Sequence, residues 1–350
     1  MIRRQTVARF TAWSVFLILA ATAALAKEGA VQAEVRALSF TPNGKLLITG
    51  DEAGKIRVWR TDTWKLAYEM KSKSDSIRCM DVSFDNSLLC VATWTNVEIW
   101  NLEEHKHLFT FPEKEITKVF FPRLHRRSPR SYGPDTRKPP NELLAWSRGV
   151  LWRWDTTNGK LKEATRSWRG AVSGHDVMAI SSSNYPLFVF GEGTLFSGFL
   201  RVSNLESNDV LIPLDCSEFK EGPQVAAFPP SGPVVAAGFI DGSIGVWDLT
   251  SGKLLHTLKK HKKRVTAMAF LRDDILVSGD EDGLIHVWDT DKGEFLKTHQ
   301  PARSLIHAMA VSNDGRSFAV GYGLGNEGRV FVLGKGAKNF QELVPSKGRP

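Results

Sequence analysis

Cysteine is scarce in this chain, and its scarcity limits what can hold the fold together. Only Cys79, Cys90 and Cys216 occur among 350 residues, which is too few and too odd a number for a disulfide framework. Cys79 and Cys90 fall on neighbouring predicted strands. Their apolar flanks favour two buried thiols, with a disulfide between them as the alternative. A chain of this size can bury most of its unfolded surface without cross-links.

Long apolar runs are equally rare, and the one that exists stands at the start. It extends from Thr11 to Leu25, after the basic residues Arg3, Arg4 and Arg9 and before the small residues Ala24-Leu25-Ala26. This order is typical of a secretory signal peptide. No later segment reaches the ~20 apolar residues of a membrane-spanning helix. We therefore expect cleavage after Ala26 and a secreted or periplasmic protein, with membrane anchoring by an uncleaved N-terminus as the alternative.

Patterns that carry catalysis or hold a cofactor are also missing. His105 and His107 lie on one face of a predicted strand, but further metal ligands are not in reach, so we expect a solvated outer strand. Four glycines follow a strand without a succeeding helix, which favours a turn over a dinucleotide site: Gly321, Gly323, Gly325 and Gly328. The sequence predicts no catalytic residue, no metal and no cofactor.

What the chain does contain is a repeated short strand that ends in tryptophan. Five copies are complete: Ile56 to Trp59, Val97 to Trp100, Leu151 to Trp154, Ile244 to Trp247 and Ile285 to Trp288. Leu200 to Ser203 and Val330 to Leu333 match the same template without the aromatic residue. Equivalent positions are 41, 54, 49, 44, 41 and 45 residues apart, close to the spacing of propeller blades.

Each repeat contains several short strands separated by turn residues, which predicts an antiparallel meander. Comparable sets occupy 35–69, 77–111, 116–164, 177–214, 225–258, 265–297 and 307–343. A twisted four-stranded sheet leaves two apolar faces open, so neighbouring copies must stack, and seven can close into a ring. The fold class is therefore all-β, a seven-bladed β-propeller over residues 27–345, with an insertion at 123–140 in blade three and a tail at 346–350. Either Asn339 to Leu343 or Glu28 to Glu34 completes the last blade.

The repeat at 259–297 resembles those of the WD-repeat β-propeller family. It contains His261, Ser278-Gly279, Asp282-Gly283 and Trp288-Asp289, and Trp-Asp pairs recur at Trp247 and Trp154. The resemblance implies a structural hydrogen-bonded network of His261, Ser278, Asp282 and Trp288 inside this blade. Other repeats depart from the pattern, with Ala237, Ala53 and Ser203 at network positions. A serine beneath a tryptophan in a sheet offers no cleft, so we do not expect this group to be catalytic.

Positive charge is concentrated in two segments. Removing residues 1–26 lowers the net charge from +8 to +5 because three arginines and no acids are lost. The basic loop contains Arg123, Arg126, Arg127, Arg130, Arg137 and Lys138, and the second segment contains Lys259, Lys260, Lys262, Lys263 and Arg264. Turn order places the two segments on opposite faces of the ring. This placement and export argue against nucleic acid as a partner, and an anionic envelope polymer or lipid is the more natural counterpart. The insertion is either a solvated loop or a binding loop.

Alignment of the second strands of the blades indicates a candidate partner-binding surface. The residues at the equivalent exit point, on the face opposite the insertion, are Asp51, Thr93, Arg148, Glu192, Phe239, Asp280 and Tyr322. Phe239 and Tyr322 are the expected apolar anchors, because aromatic residues are enriched in interface hot spots. Exposed Trp94 and Trp168 would extend such a surface. The alternative is that these are ordinary turn residues.

These features predict a non-catalytic exported scaffold that binds proteins of unknown identity. The family resemblance carries this interpretation, since a fold alone does not fix a function. An exported enzyme or small-ligand binder is the first alternative, with Asp51, Glu192 and Asp280 meeting at the mouth of the central channel. Adhesion to an anionic envelope polymer through a basic segment is the second.

Overall fold

A computed structural model describes residues 33–122, 141–147, 150–166, 178–181, 187–194, 197–204, 210–219, 221–324, 327–334 and 339–344. These residues form 28 β-strands and no helix. The strands group into seven four-stranded sheets, and in each sheet the hydrogen-bonded order follows the chain order. The predicted all-β fold with seven antiparallel blades is confirmed.

The first three blades contain β1 to β12. Blade one has β1 (Val35–Phe40), β2 (Leu46–Asp51), β3 (Lys55–Arg60) and β4 (Leu66–Lys71). Blade two has β5 (Cys79–Val82), β6 (Leu88–Ala92), β7 (Val97–Asn101) and β8 (Lys106–Phe111). Blade three has β9 (Lys118–Phe120), β10 (Glu142–Ser147), β11 (Val150–Asp155) and β12 (Leu161–Arg166).

The remaining four blades contain β13 to β28. Blade four has β13 (Met178–Ile180), β14 (Leu187–Thr194), β15 (Ser197–Asn204) and β16 (Val210–Leu214). Blade five has β17 (Pro223–Ala227), β18 (Val234–Phe239), β19 (Ser243–Asp248) and β20 (Leu254–Lys259). Blade six has β21 (Val265–Arg272), β22 (Ile275–Asp280), β23 (Ile285–Asp289) and β24 (Glu294–His299). Blade seven has β25 (Ile306–Val311), β26 (Phe318–Leu324), β27 (Glu327–Leu333) and β28 (Gln341–Glu342).

The apolar core lies between the blades. Buried clusters bridge successive sheets, and one of them joins blade seven to blade one through Val330, Val35 and Trp59. The tryptophans that end the third strands are central to this packing: Trp59 and Trp247 are fully buried. Both faces of each blade are therefore covered by a neighbour, as the stacking of the repeats requires.

The C-terminal segment completes the last blade. Phe331 pairs with Glu342 and Val332 pairs with Gln341, so of the two candidates for the fourth strand the structure uses the one within 339–343. The outer strand β28 has two residues, whereas the outer strands of the other blades have five or six. The ring closes here with a shorter edge than anywhere else.

The alternating strands give the ring two faces. Turns that follow the second and fourth strands lie on one, here called the front face, and turns that follow the first and third strands lie on the other, the rear face. The basic loop, Trp168, Arg148 and the remainder of 123–140 lie outside the described residues. Among those that are described, no helix has the length and apolar character required to cross a membrane.

The innermost strands line a central cavity of about 530 Å³. Apolar side chains in its wall include those of Leu38, Ile180, Phe228 and Leu271. The charged residues in its described lining are Asp81 and Lys118. The Asp81 carboxylate accepts a hydrogen bond from the Phe121 backbone N–H at 2.8 Å. This bond connects blade two to blade three.

Candidate partner-binding surface

The residues expected to anchor a partner are buried. The exposed fractions are 2% for Asp51, 0% for Thr93, Phe239 and Asp280, and 1% for Tyr322. Glu192 lies within β14, and its side chain is not described. The aligned exit positions therefore point between blades and not to solvent, which corrects the expectation that Phe239 and Tyr322 are exposed anchors.

The two aromatic residues have clear structural roles. Phe239 stacks on Phe219 with ring centroids 3.9 Å apart and planes 2° from parallel, inside the cluster between blades four and five. The hydroxyl of Tyr322, in blade seven, donates to the Gly283 carbonyl of blade six at 3.4 Å. Burial raises the pKa of Tyr322 well above its ordinary value. Both rings hold neighbouring blades together.

The two acidic residues at these positions are also engaged within their blades. Asp51 accepts a hydrogen bond from Arg57 Nη1 at 2.8 Å and another from the Lys55 backbone N–H at 2.8 Å. The Arg57 side chain is 5% exposed and also donates from Nε to Glu69 Oε1 at 2.8 Å. The carboxylates of Asp51 and Asp280 therefore form hydrogen bonds inside blades one and six. They do not meet at the channel mouth, as the ligand-binding alternative requires.

Blade six contains the network implied by the sequence, with one change of member. His261 Nδ1 lies 2.7 Å from Asp280 Oδ2, His261 Nε2 lies 2.7 Å from Ser278 Oγ, and the Trp288 indole N–H donates to Ser278 Oγ at 2.8 Å. The carboxylate is that of Asp280, and the expectation of Asp282 was wrong. Asp282 contributes its backbone N–H, which donates to Asp280 Oδ1 at 3.0 Å. Ser278 and Asp280 share one face of β22 because they are two residues apart.

This serine–histidine–aspartate arrangement has triad distances but no access for a substrate. The side chains of His261 and Asp280 are 0% exposed, and Ser278 is 0% exposed. The Ser278 oxygen is also capped by Trp288. A nucleophile needs an approachable reacting atom and nearby oxyanion donors, so the geometry supports a structural role.

One predicted surface aromatic is exposed on the front face. Trp94 lies in the turn between β6 and β7 and is 47% exposed. Buried Thr93 orders this turn: its hydroxyl donates to Asn96 Oδ1 at 3.0 Å and accepts from the Thr95 and Asn96 backbone N–H groups at 3.3 and 3.2 Å. Thr93 therefore shapes the surface without belonging to it.

Trp94 is held in one orientation from two sides. Its indole N–H donates to Ser76 Oγ at 3.1 Å, and the Arg78 guanidinium carbon lies 3.9 Å from the indole centroid. Arg78 Nη1 also donates to the Ile116 carbonyl at 3.4 Å, and the Glu115 N–H donates to the Trp94 carbonyl at 3.1 Å. The connections before and after blade two thus fix an exposed aromatic ring with a cation stacked on it.

The basic segment at 259–264 also lies on the front face. Lys259, Lys260, Lys262 and Lys263 are exposed, while Arg264 pairs with Glu281 at 2.6 Å. Lys260 Nζ lies 4.6 Å from the centroid of the Phe295 ring. The buried His261 anchors this segment to blade six. The basic loop at 123–138 lies outside the described residues, so the placement of the two segments on opposite faces stays a prediction.

The histidines considered for a metal make other contacts. His105 stacks on Tyr68 with centroids 3.6 Å apart, and His107 Nε2 lies 2.9 Å from Thr110 Oγ1. In the described part of the chain, no group of three or more His, Cys, Asp or Glu side chains is arranged to hold a metal ion.

These features define a seven-bladed β-propeller whose blades are closed by buried tryptophans and whose front face carries a fixed, exposed aromatic ring. Parts of the chain match models of WD-repeat families. The profile described as WD domain, G-beta repeat matches residues 223–248 and 252–289. The profile of the anaphase-promoting complex subunit 4 WD40 domain matches residues 5–85.

Curated relatives are distant and longer than the matched region. Periodic tryptophan protein 2 of Arabidopsis thaliana is 22% identical over 239 residues, which are 65% of this chain and 23% of that protein. Angio-associated migratory cell protein of Homo sapiens is 22% identical over 255 residues, 70% of this chain and 42% of that protein. The chain thus spans less than half the length of these relatives. WD-repeat proteins are typically interaction scaffolds.

Solved structures with the same fold include the WD40 repeats of RRP9. That structure has a TM-score of 0.68 and 17% identity, and the match covers 90% of this chain and 94% of the other. A structure of U3-55K has the same TM-score of 0.68 and 16% identity, with 85% and 95% covered. At this identity, the likeness extends to the fold alone.

Proposed function

We propose that this protein is an exported, non-catalytic scaffold that binds a protein partner on the front face around Trp94. The observation that carries the proposal is the immobilised, exposed indole of Trp94 with the Arg78 guanidinium stacked on it. Tryptophan and arginine are the residue types that most often dominate interface energies. A ring already held in place loses little side-chain entropy on binding, which favours affinity.

The experiment compares Trp94→Ala with a matched variant on the other face. Phe84 is also an exposed aromatic residue, 42% exposed, but it lies in the rear-face turn between β5 and β6. Mature protein 27–350, Trp94→Ala and Phe84→Ala are used as baits in a native envelope extract, and retained proteins are quantified by mass spectrometry. We expect the specifically retained proteins to fall at least about tenfold with Trp94→Ala, equivalent to about 1.4 kcal/mol.

Phe84→Ala should retain the same proteins as the wild type. A partner site at Trp94 is contradicted if both variants retain equally reduced amounts of these proteins. It is also contradicted if Trp94→Ala retains as much as the wild type with an unchanged melting temperature. Circular dichroism melting curves of all three proteins separate a binding effect from a folding effect.

Export is a separate part of the proposal and rests on the basic, apolar and small-residue order of the first 26 residues. Expression in a host with a general secretory pathway, followed by N-terminal sequencing, tests it. We expect the mature chain to begin Lys27-Glu28-Gly29 in the soluble extracytoplasmic fraction. A chain that begins at Met1 and sediments with membranes supports the anchored alternative, and one that stays inside the cell contradicts export.

Binding to an anionic envelope polymer is a second candidate function, favoured by the four exposed lysines at 259–263. Contacts between exposed charges weaken with salt because the screening length is about 10 Å at 0.1 M ionic strength. We expect binding to vesicles that contain anionic lipid to disappear between low and moderate salt, and to be weakened by Lys262→Ala/Lys263→Ala. Binding that does not depend on salt contradicts this candidate.

A further inference from the structure

The junction between the last and the first blades contains a cavity. The cavity has a volume of about 440 Å³ and opens on the rear face. Its lining includes Trp64, Asp62, Asp314, Arg316, Asn339 and Gln341; these six residues are called the seam pocket here. It lies where the outer strand is shortest, since β28 has two residues.

Comparison of the blades explains why space remains at this junction. The turn between the third and fourth strands has a left-handed residue, which is Gly159 in blade three, Gly252 in blade five and Gly293 in blade six, with φ of 69°, 70° and 69°. A Cβ at Gly159 would lie 2.6 Å from the Phe109 ring, and one at Gly293 would lie 2.5 Å from the His256 ring. The outer strand of the preceding blade therefore fills the space above each glycine.

Blade one has Trp64 at this position, with φ of 55°. A left-handed backbone is uncommon for a large side chain and costs free energy. The preceding blade is blade seven, whose outer strand has two residues. Blade two also has a large residue at this position, His105 with φ of 52°, but its ring stacks on Tyr68 of the preceding outer strand. Gly334 allows the close approach, because a Cβ there would lie 3.0 Å from Trp64 Nε1. Trp64 packs partly against the core between blades seven and one and still lines the cavity.

The other side chains of the seam pocket are polar, and they include both hydrogen-bond donors and hydrogen-bond acceptors. Asp62 and Asp314 are acceptors, Arg316 is a donor, and the amides of Asn339 and Gln341 are both. Hydrogen bonding from Ser312 lowers the pKa of Asp314, so this carboxylate is ionised near neutral pH. Its Oδ1 accepts from Ser312 Oγ at 2.6 Å and from the Arg316 N–H at 3.1 Å, and its Oδ2 lies 3.9 Å from Arg316 Nε.

These properties select one class of ligand by exclusion. Two carboxylates against one guanidinium disfavour an anion, and the polar walls disfavour a lipid chain or an apolar side chain. A saccharide has hydroxyl groups that both donate and accept, and apolar C–H faces that pack on an aromatic ring. The volume lies within the range of small-ligand sites, about 300–1,000 Å³.

We infer that the seam pocket binds a neutral oligosaccharide, with the C–H face of one sugar ring against Trp64 and hydroxyl groups bonded to Asp62, Asp314, Arg316, Asn339 and Gln341. This activity is independent of protein binding at Trp94, because the pocket lies on the rear face and Trp94 lies on the front face. One chain would thus hold a protein on one side and a glycan on the other.

Titration calorimetry and saturation-transfer NMR test the inference on mature protein 27–350, with maltohexaose, cellohexaose and N-acetylchitohexaose as probes. We expect saturable binding of at least one hexasaccharide with a dissociation constant of about 1 mM or tighter. Trp64→Ala should weaken that binding at least about tenfold. His105→Ala is the matched control, because His105 has φ of 52° at the same turn position of blade two and lies outside the seam pocket.

Trp64→Ala also removes packing, so a second variant keeps the test independent of folding. Asn339→Ala/Gln341→Ala removes two exposed amides and leaves the backbone pairing of β28 in place. We expect it to weaken binding with an unchanged melting temperature. The inference is overturned if none of the three hexasaccharides binds up to about 10 mM, or if binding survives both seam-pocket variants.

Discussion

The indole N–H of Trp100 donates a hydrogen bond to the carboxylate of Glu98, two residues earlier on the same strand, at 3.0 Å. The same carboxylate accepts from Ser72 Oγ and from the Lys73 backbone N–H, both at 3.0 Å. Glu98 is fully buried. In blade six, His261 from the preceding connection binds Ser278 and Asp280 of the blade. In blade two the direction is reversed, because Glu98 of the blade binds Ser72 and Lys73 of the preceding connection.

We predict that Glu98→Gln destabilises the protein by about 1–3 kcal/mol. Three donors converge on this carboxylate, two on Oε1 and the Trp100 indole on Oε2. Glutamine replaces one of these oxygens with an amide nitrogen, which cannot accept, so at least one donor loses its partner. Urea unfolding followed by tryptophan fluorescence measures the change. Glu69→Gln is the control, because that carboxylate is 38% exposed and its loss should cost less. Equal destabilisation by the two substitutions would contradict a special role for Glu98.

We predict that His286 makes stability depend on pH. Burial, followed by the charge of neighbouring His261, lowers the pKa of His286 from 6.5 to about 4. Between these values the unfolded chain binds a proton that the folded chain excludes. The contribution of His286 is therefore complete above about pH 6.5 and is lost progressively as the pH falls towards 4.

The measurement is the unfolding free energy at about pH 7.5 and about pH 5. His286→Gln should lose less unfolding free energy than the wild type between about pH 7.5 and about pH 5. The exposed-site variant His105→Gln should lose as much as the wild type. A His286→Gln variant that loses as much stability as His105→Gln would mean that His286 does not carry this dependence.

We predict that Phe239→Ala lowers stability by about 3–5 kcal/mol, because it empties a fully buried position between two blades. Thermal and urea unfolding measure this loss. Partner capture per folded molecule, tested at a temperature where the variant is still folded, should stay at the wild-type level. A stable variant that has lost partner binding would restore the sequence-based expectation of a surface anchor.

We predict that all three thiols stay reduced and protected in the folded protein. Cys79, Cys90 and Cys216 are free and buried, and burial raises the pKa of Cys216 to about 11 and those of Cys79 and Cys90 above their usual range. Thiolate is the reactive form, so a thiol reagent should label the native protein slowly and label three groups after denaturation. One group after denaturation would indicate that Cys79 and Cys90 have formed a disulfide.

The sequence predicted the blades well because their signal is repeated. The third strands with their tryptophans, the glycine turns and the spacing between copies all specify the same meander, and the structure confirms each of the seven sheets. The choice of Asn339 to Leu343 over Glu28 to Glu34 was beyond the sequence, since both segments have the length and polarity of an outer strand. Backbone pairing at Gln341 and Glu342 decides it.

The candidate site was predicted poorly for a physical reason. Both faces of a propeller blade are covered, so alternation along a strand does not distinguish a side chain that faces solvent from one that faces a neighbouring blade. Phe239 does end its strand, whereas Tyr322 lies two residues before the end of β26. Both side chains were expected to face solvent, and both face a neighbouring blade. The exchange of Asp282 for Asp280 was predictable, because residues two apart on a strand share a face and Asp280 stands two residues after Ser278.

The residue two positions before the blade tryptophan differs among the five complete copies. Arg57 binds an aspartate, Glu98 binds the indole itself, Trp152 stacks on the blade tryptophan, Gly245 leaves room for the Trp247 ring, and His286 packs against a second histidine. The residue at this position in each blade fits the side chains that surround it in that blade and in the neighbouring connection. A blade copied into another place in the ring would therefore leave a charge or a cavity without its counterpart. The seven blades share one strand plan but differ in the contacts at this position, so a substitution tolerated in one blade does not predict the effect of the same substitution in another.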